Sequence, residues 1–366
     1  AVIHGVSDLA ALDGADLVVY RAAGTHGDLV DAAHAVTDEV RALLQAWLGD
    51  DRFAGSHLAV VTSGAAGALP TDPVDDPAAA PVWGLLRSAQ SEHPGRFTLV
   101  DLDDPDHLQV AMGTGEPQVA VRSGTAYAPR LTRTQAAGTA PTLDPDGTVL
   151  VTGGTGTLGV LLARHLVTTH GARHLMLVSR RGRDADGVDD LVAGLVEAGA
   201  ASVRVEACDV TDRGQLTSLL LRIPADRPLT GVVHTAGVLD DALVAAMTAA
   251  QLDTVLRPKV DAAWHLHELT AAADLAVFAM FSSVVATIGY PGQANYAAGN
   301  AFLDGLAAHR RALGLPALSL AWGAWAQGTG MTSGLTAADM DRMARAGLPP
   351  LSVEDGLAMF DAALGL

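Results

Sequence analysis

Three features of this 366-residue chain predict an α/β fold of doubly wound parallel sheets. The first is Val149-Leu-Val-Thr-Gly-Gly-Thr-Gly-Thr-Leu-Gly159, which reads as a buried strand, a glycine turn and the start of a helix. The second is a repeated alternation of short apolar runs with stretches of helical spacing, the pattern of strands joined by crossover helices. The third is an internal echo. Val61-Thr-Ser-Gly-Ala-Ala-Gly-Ala-Leu-Pro70 repeats the glycine stretch but runs into Pro70, Pro73 and Pro77 instead of a helix. Two similar halves are expected: a degenerate one over residues 1–140, which keeps its sheet and has lost its site, and an intact one over 141–366.

The intact turn has the chemistry of a phosphate cradle. Gly153 turns the chain off the strand, Gly156 has no Cβ to obstruct a pyrophosphate, and Gly159 lets helix and strand pack closely. Thr152, Thr155 and Leu158 complete the turn. The N–H groups and positive dipole end of the following helix then face the phosphates. This is a Rossmann-like arrangement. Its G-x-x-G-x-x-G spacing differs from the G-x-G-x-x-G of ordinary dehydrogenases and points to a reductase branch.

Composition excludes several classes. Hydrophobic residues make up 49% of the chain and charged ones 17%, enough for a large core. A net charge of −18 argues against nucleic acid and anionic membranes as partners. The single cysteine, Cys208, rules out an intrachain disulfide, and a cytoplasmic setting is expected. Neither a signal peptide nor a membrane span is evident. The chain begins without Met and in mid-pattern, as an excised piece of a longer protein would, and the excised domain is expected to be monomeric.

In the first half, Val18–Tyr20, His57–Thr62, Phe97–Leu102 and Gln118–Arg122 read as strands, and Asp28–Leu48 and Pro81–Gln90 as helices. The long helix carries Leu29, Ala33, Val36, Val40, Leu43, Leu44 and Trp47 on one side. Thr132–Gly147 is a linker by composition. After the glycine turn, strands are expected at His174–Ser179, Ser202–Ala207, Thr230–His234, Leu275–Phe281 and Leu318–Trp322. Helices are expected over Gly187–Ala198, over a stretch holding Lys259, Trp264 and His267, and from about Tyr296 to Arg311. Residues 323–348, rich in Gly, Ala and Met, read as a lid that includes Met331.

Function is carried at the strand ends. The second strand of the intact half ends in Ser179-Arg-Arg181, where NAD enzymes place an acid for the ribose hydroxyls. Arg180 suits a 2′-phosphate instead, so the cofactor is expected to be NADPH. Asp209 and Val210 would meet the adenine, and Thr235, Ala236 and Gly237 leave room for the cofactor across the strand ends. Ser283 ends a strand, Tyr296 opens a helix, and Asn300 follows four residues on, on the same helix face. A hydroxyl and a phenol meeting at one carbonyl oxygen would stabilise the charge that builds there during hydride transfer. Lys259 would supply the cation that lets the phenol ionise.

These residues resemble the short-chain dehydrogenase/reductase superfamily and, more narrowly, the ketoreductase domains of modular type I polyketide synthases. The carriers are Thr152–Gly159, Ser179–Arg181, Cys208-Asp-Val210, His234-Thr-Ala-Gly237, Lys259, Ser283, Tyr296-Ala-Ala-Gly-Asn300 and Trp322-Gly323. In the first half they are Trp83–Gln90 and Glu92-His-Pro-Gly-Arg96. Most of the superfamily has Tyr-x-x-x-Lys; the exchange of Lys259 and Asn300 is a feature of the polyketide enzymes. The resemblance implies reduction of a 3-keto group on a phosphopantetheine-bound acyl chain. An acyl carrier protein would present that chain, with neighbouring synthase domains as further partners. Leu239-Asp240-Asp241 resembles the fingerprint of B-type members, which give a D-configured 3-hydroxyl. The opposite class has Trp eight residues before the tyrosine, where this chain has Ile288. Pro291 and Asn295 bear on the 2-substituent without deciding epimerisation, and Trp322 and Met331 belong with the substrate-shaping residues.

Other features read as bland. His265-Leu-His267-Glu268 lacks metal-site spacing, so no metal is expected. Cys208 reads as a small buried residue. A free-standing reductase or sugar-nucleotide epimerase, or an inactive scaffold, are the rival readings.

Overall fold

The computed structural model describes residues 1–12, 15–24, 27–69, 71–134, 138, 140–326, 344–345 and 347–366. In chain order the elements are β1 (Val2–Ile3), β2 (Leu17–Arg21), α1 (Leu29–Gly49), β3 (His57–Thr62), α2 (Ala80–Glu92), β4 (Phe97–Leu102), α3 (Leu108–Met112), β5 (Gln118–Arg122) and β6 (Thr125–Tyr127). Then follow β7 (Thr148–Thr152), α4 (Thr157–Thr168), β8 (His174–Ser179), α5 (Val188–Glu197), β9 (Ser202–Ala207), α6 (Arg213–Leu220), β10 (Leu229–His234), α7 (Ala249–Leu256) and α8 (Val260–Thr270). β11 (Val277–Ser283), α9 (Val284–Ile288), α10 (Ala294–Ala312), β12 (Leu318–Trp322) and a C-terminal helix Val353–Leu364 complete the described chain. Packing groups these into two compact units. One is Ala1–Arg133, Leu239–Val260 and Ser282–Gly314; the other is Thr134–Val238, Asp261–Phe281 and Leu315–Leu366.

The first unit holds a sheet of order β1-β2-β3-β4-β5-β6. Its pairs are parallel except the β5–β6 hairpin. α1 forms where expected because the Asp28 carboxylate caps it, accepting from the Val30 and Asp31 N–H groups. Its apolar face buries Val36, Val40, Leu43, Leu44 and Trp47, each contributing roughly 1.5–3 kcal/mol. Trp47 stacks on Phe53 with ring centroids 4.4 Å apart. α10 lies against α2 so closely that a Cβ on Gly84 would overlap the backbone of Ala297.

The echo of the glycine turn is filled from within. The Gly64 and Ala65 N–H groups donate to the Asp101 carboxylate at 3.2 and 2.9 Å, and the Thr62 hydroxyl donates to it at 2.7 Å. Arg122 binds the same carboxylate at 2.7 Å. A side-chain anion therefore occupies the N–H groups that a phosphate would need.

The second unit holds a sheet of order β12-β11-β10-β7-β8-β9. The order reverses between β7 and β10, which is where open α/β sheets bind ligands. Its core gathers Val149, Val151, Leu162, Leu166, Leu175, Leu177, Val233, Phe281 and Phe360.

Two expectations need correction, and one element was not expected. The strand expected over Leu275–Phe281 runs over Val277–Ser283, two residues later, so Ser283 is its last residue. Lys259 is not on a helix: it sits in the turn between α7 and α8. Pro258 has no N–H and crowds the preceding turn, which ends α7 at Leu256. A short helix, α9, intervenes between Ser283 and Tyr296; Ser283 caps it by accepting from the Val285 N–H at 3.3 Å. Among the described residues no helix is long and apolar enough to cross a membrane.

Candidate active site

The glycine turn belongs to the second unit. Gly153 has φ +67, and a Cβ there would lie 2.8 Å from the Thr235 hydroxyl, so both conformation and space require glycine. A Cβ on Gly159 would overlap the Gly153 carbonyl, which is the close helix packing expected there. Among the described residues a Cβ at Gly156 would meet only the Gly153 oxygen, at 3.2 Å, which leaves room for a ligand on the outer side of the turn. No side chain among the described residues caps α4, which leaves its first N–H groups available. Thr152 and Thr235 tie the turn to the sheet. Thr152 Oγ1 bonds His234 Nδ1 at 2.7 Å, and the Thr235 hydroxyl donates to the Thr152 carbonyl at 2.7 Å.

At the end of β8 the two arginines differ. Arg181 pairs with Asp186 at 3.1 Å, both exposed, a bond of little energetic weight. Arg180 is exposed and has no ion-pair or hydrogen-bond partner among the described residues. Ser179 accepts from the Gly182 N–H at 3.0 Å and shapes this corner. Asp209 folds onto its own turn, accepting from the N–H and hydroxyl of Thr211, next to buried Val210. Ala236 and Gly237 follow β10 as irregular chain. The turn geometry fits the pyrophosphate of a nicotinamide dinucleotide.

The tyrosine–serine–asparagine–lysine group lies within the first unit. Burial raises the pKa of Tyr296, Asn300 and Ser283 lower it through side-chain hydrogen bonding, and the charge of Asp241 raises it. Ser283 is 7% exposed and Asn300 is fully buried. Asn300 Nδ2 donates to the Tyr296 carbonyl at 2.8 Å, while its buried Oδ1 has no hydrogen-bond partner among the described residues. A buried orphan acceptor costs roughly 1–3 kcal/mol, a cost borne here inside the site. The Ser282 hydroxyl donates to the Asn300 carbonyl at 3.1 Å, holding α10 to the end of β11.

Lys259 is 2% exposed, and burial lowers its pKa to about 7 against the pull of Asp304. Its stem passes Gly299, where a Cβ would lie 3.1 Å from Lys259 Cβ. Asp304 was missed from the sequence. It is four residues beyond Asn300 and eight beyond Tyr296, the same face of α10, and that spacing was the available signal.

Leu239, Asp240 and Asp241 border the start of α10. Asp240 accepts from Gln251 at 3.0 Å, Asp241 accepts from Gln293 at 2.9 Å, and Asn295 donates to the Asp240 carbonyl at 2.7 Å. With both acids held, Leu239 stands out, 37% exposed. Ile288, at the end of α9, is 40% exposed, and Pro291 is exposed. Trp322 is buried in the core of the second unit, its ring centroid 5.4 Å from that of Phe281. Met331 lies outside the described residues, as does most of the expected lid.

Cys208 is buried, and its thiol is pushed up to about 11, mainly by burial, which suits packing and not nucleophilic chemistry. Of the neighbouring histidines, His267 is buried against Trp264. A different pair converges. His165 and His170 both place Nε2 on Asp361 Oδ1, at 2.6 and 2.7 Å, fastening the C-terminal helix beside α4.

A reversed parallel sheet with an open glycine turn, and a tyrosine–serine–asparagine–lysine group, describe a nicotinamide-dependent oxidoreductase. Residues 147–327 match the KR domain family, and residues 1–131 match the Rossmann fold domain of the polyketide synthase extender module SpnB. Polyketide synthase GfsA of Streptomyces halstedii is 51% identical over 347 residues, covering 94% of this chain and 5% of that protein. The chain thus spans about a twentieth of that relative's length. A solved A1-type ketoreductase is 39% identical with a TM-score of 0.86, covering 98% of this chain and 78% of that one. A C2-type ketoreductase from a modular polyketide synthase is 35% identical with a TM-score of 0.82, covering 98% of this chain and 79% of that one. The chain belongs to the ketoreductase domains of modular polyketide synthases, enzymes that reduce a β-keto group. Structures of differently named types fit it almost equally well, so the type has to be argued from residues.

Proposed function

We propose that this domain uses NADPH to reduce the 3-keto group of an acyl chain carried on phosphopantetheine by an acyl carrier protein, giving a D-configured 3-hydroxyl. In this reading residues 1–140 are the structural part and 141–366 the catalytic part, within a larger cytoplasmic synthase. The glycine turn of Gly153, Gly156 and Gly159 would hold the pyrophosphate, and Arg180 the 2′-phosphate. When bound, the cofactor supplies the hydride.

The chain's own residues handle the oxygen. The Tyr296 hydroxyl gives its proton to the ketone oxygen as negative charge grows there, completing the alcohol. Ser283 hydrogen-bonds the same oxygen and then the phenolate left on Tyr296. Lys259 offsets the phenolate charge, and Asn300 fixes the first turn of α10. The observation that carries the reading is the buried Lys259 amine, its Nζ 6.0 Å from the centroid of the Tyr296 ring, with Asn300 Nδ2 donating to the Tyr296 carbonyl at 2.8 Å on the same helix.

The B-type assignment is supported by Leu239-Asp-Asp241, with its leucine exposed and both acids held, and by Ile288 in place of tryptophan. The test is chiral analysis of the product from a racemic 2-methyl-3-ketoacyl thioester and NADPH. A D-3-hydroxyl product is expected; an L product overturns the type assignment and leaves the reductase chemistry standing. The product's 2-configuration, read in the same experiment, reports how the site treats the 2-substituent.

A further inference from the structure

Glu92 is the last residue of α2, where a negative charge opposes the helix dipole. Something else has to account for it, and its two carboxylate oxygens do. Oε2 accepts from the Val244 N–H at 2.8 Å, and Oε1 accepts from the Gly292 N–H at 3.0 Å. These N–H groups lie on two separate segments. One, residues 239–247, carries Leu239-Asp-Asp241; the other, residues 288–293, carries Ile288 and Pro291. The segments also bond each other, through the Ala242 N–H to the Gly292 carbonyl at 2.9 Å and through Gln293 to Asp241.

The rest of the anchorage comes from the same part of the chain. Ser88 Oγ accepts from the Tyr290 N–H at 3.2 Å, and Arg87 Nη1 donates to the Ala286 carbonyl at 2.6 Å. Gln45 on α1 donates to the Val244 and Met247 carbonyls at 2.8 and 2.7 Å. Val244 is therefore fixed at both its N–H and its carbonyl by residues from the first third of the chain. A single carboxylate bridging two backbone N–H groups sets the spacing between the segments rigidly, because charge-assisted bonds are short and directional.

We propose that Glu92 is a positioning residue for substrate orientation: its carboxylate clasps the Leu239-Asp-Asp241 loop and the Ile288–Pro291 turn in one register beside the start of α10. This rests on the reading that those segments border the acyl chain. It gives the degenerate half a part in stereochemical control.

Two variants test it. Glu92→Gln keeps the shape but sets an amide N–H₂ against one of the two N–H donors. Val244→Pro removes the other donor, at the first position of a short 3-10 turn that follows an extended Leu243, where proline fits. Each variant that retains a cooperative thermal transition is assayed with a 3-ketoacyl thioester and NADPH. The expected result is a thioester KM raised about tenfold, kcat within about twofold, an NADPH KM unchanged, and a minor 3-hydroxyl stereoisomer increased about tenfold. General loosening of the fold would move the NADPH KM as well, and that outcome overturns the proposal. Leu239→Ala serves as the reference. If it shifts the stereoisomer ratio and neither clasp variant does, the clasp is wrong. If none of the three shifts the ratio, the substrate-loop reading falls and the clasp falls with it.

Discussion

Lys259 Nζ lies 6.0 Å from the centroid of the Tyr296 ring, so a buried amine sits beside the phenol assigned the proton transfer. Tyr296→Phe removes the proton donor and keeps the ring. Reduction of a 3-ketoacyl thioester should fall by about 10³-fold or more, with NADPH affinity, measured by fluorescence titration, little changed. Turnover near the original rate would remove Tyr296 from the mechanism.

The same amine makes stability depend on pH. Burial lowers the folded-state pKa of Lys259 from 10.5 to about 7. Below pH 7 the folded and unfolded chains both hold the proton, and the folded chain carries the full cost of a buried charge. Between pH 7 and 10.5 only the unfolded chain keeps the proton, so rising pH favours folding. Lys259→Met should therefore lose activity, and its stability relative to the parent chain should be higher at pH 6 than at pH 9. Urea midpoints at pH 6 and pH 9 give the comparison; a relative stability that grows with pH contradicts the assignment.

Arg180 has no ion-pair partner among the described residues, whereas Arg181 already has Asp186. Arg180→Glu should raise the KM for NADPH about 10- to 100-fold and change the KM for NADH far less. Equal effects on the two cofactors would place the 2′-phosphate contact elsewhere.

In the degenerate half, Asp101 is the anion that closes the old phosphate turn. It is fully buried, and Arg122 loses its strongest partner with it, keeping Asp72 at 3.0 Å. Asp101→Ala should destabilise the domain by about 3 kcal/mol, while kcat at a temperature where the protein stays folded is unchanged. A kcat lost in step with stability would mean that this turn still serves the reaction.

What could be read in advance was what is coded locally. β3, β4, β5, β8, β9 and β12 fall on the residues expected from their apolar runs. Asp28 caps α1 and Gly153 takes a positive φ for reasons contained in a few neighbouring residues. Errors came where short-range signals compete. Pro258 cut a helix that periodicity carried through Lys259, and α9 was hidden because five residues make too short a pattern to register.

The sequence by itself determined the two-sheet architecture, the glycine turn and the tyrosine–asparagine spacing, because each rests on backbone dihedrals or a helical repeat spanning a few residues. Only the tertiary structure decided that Asp101 fills the worn turn, that Lys259 is buried under the influence of Asp304, and that Glu92 bridges two segments about 150 and 200 residues away. Burial, charge partners and bridging hydrogen bonds depend on residues remote in the chain, and no local pattern announces which of them will meet.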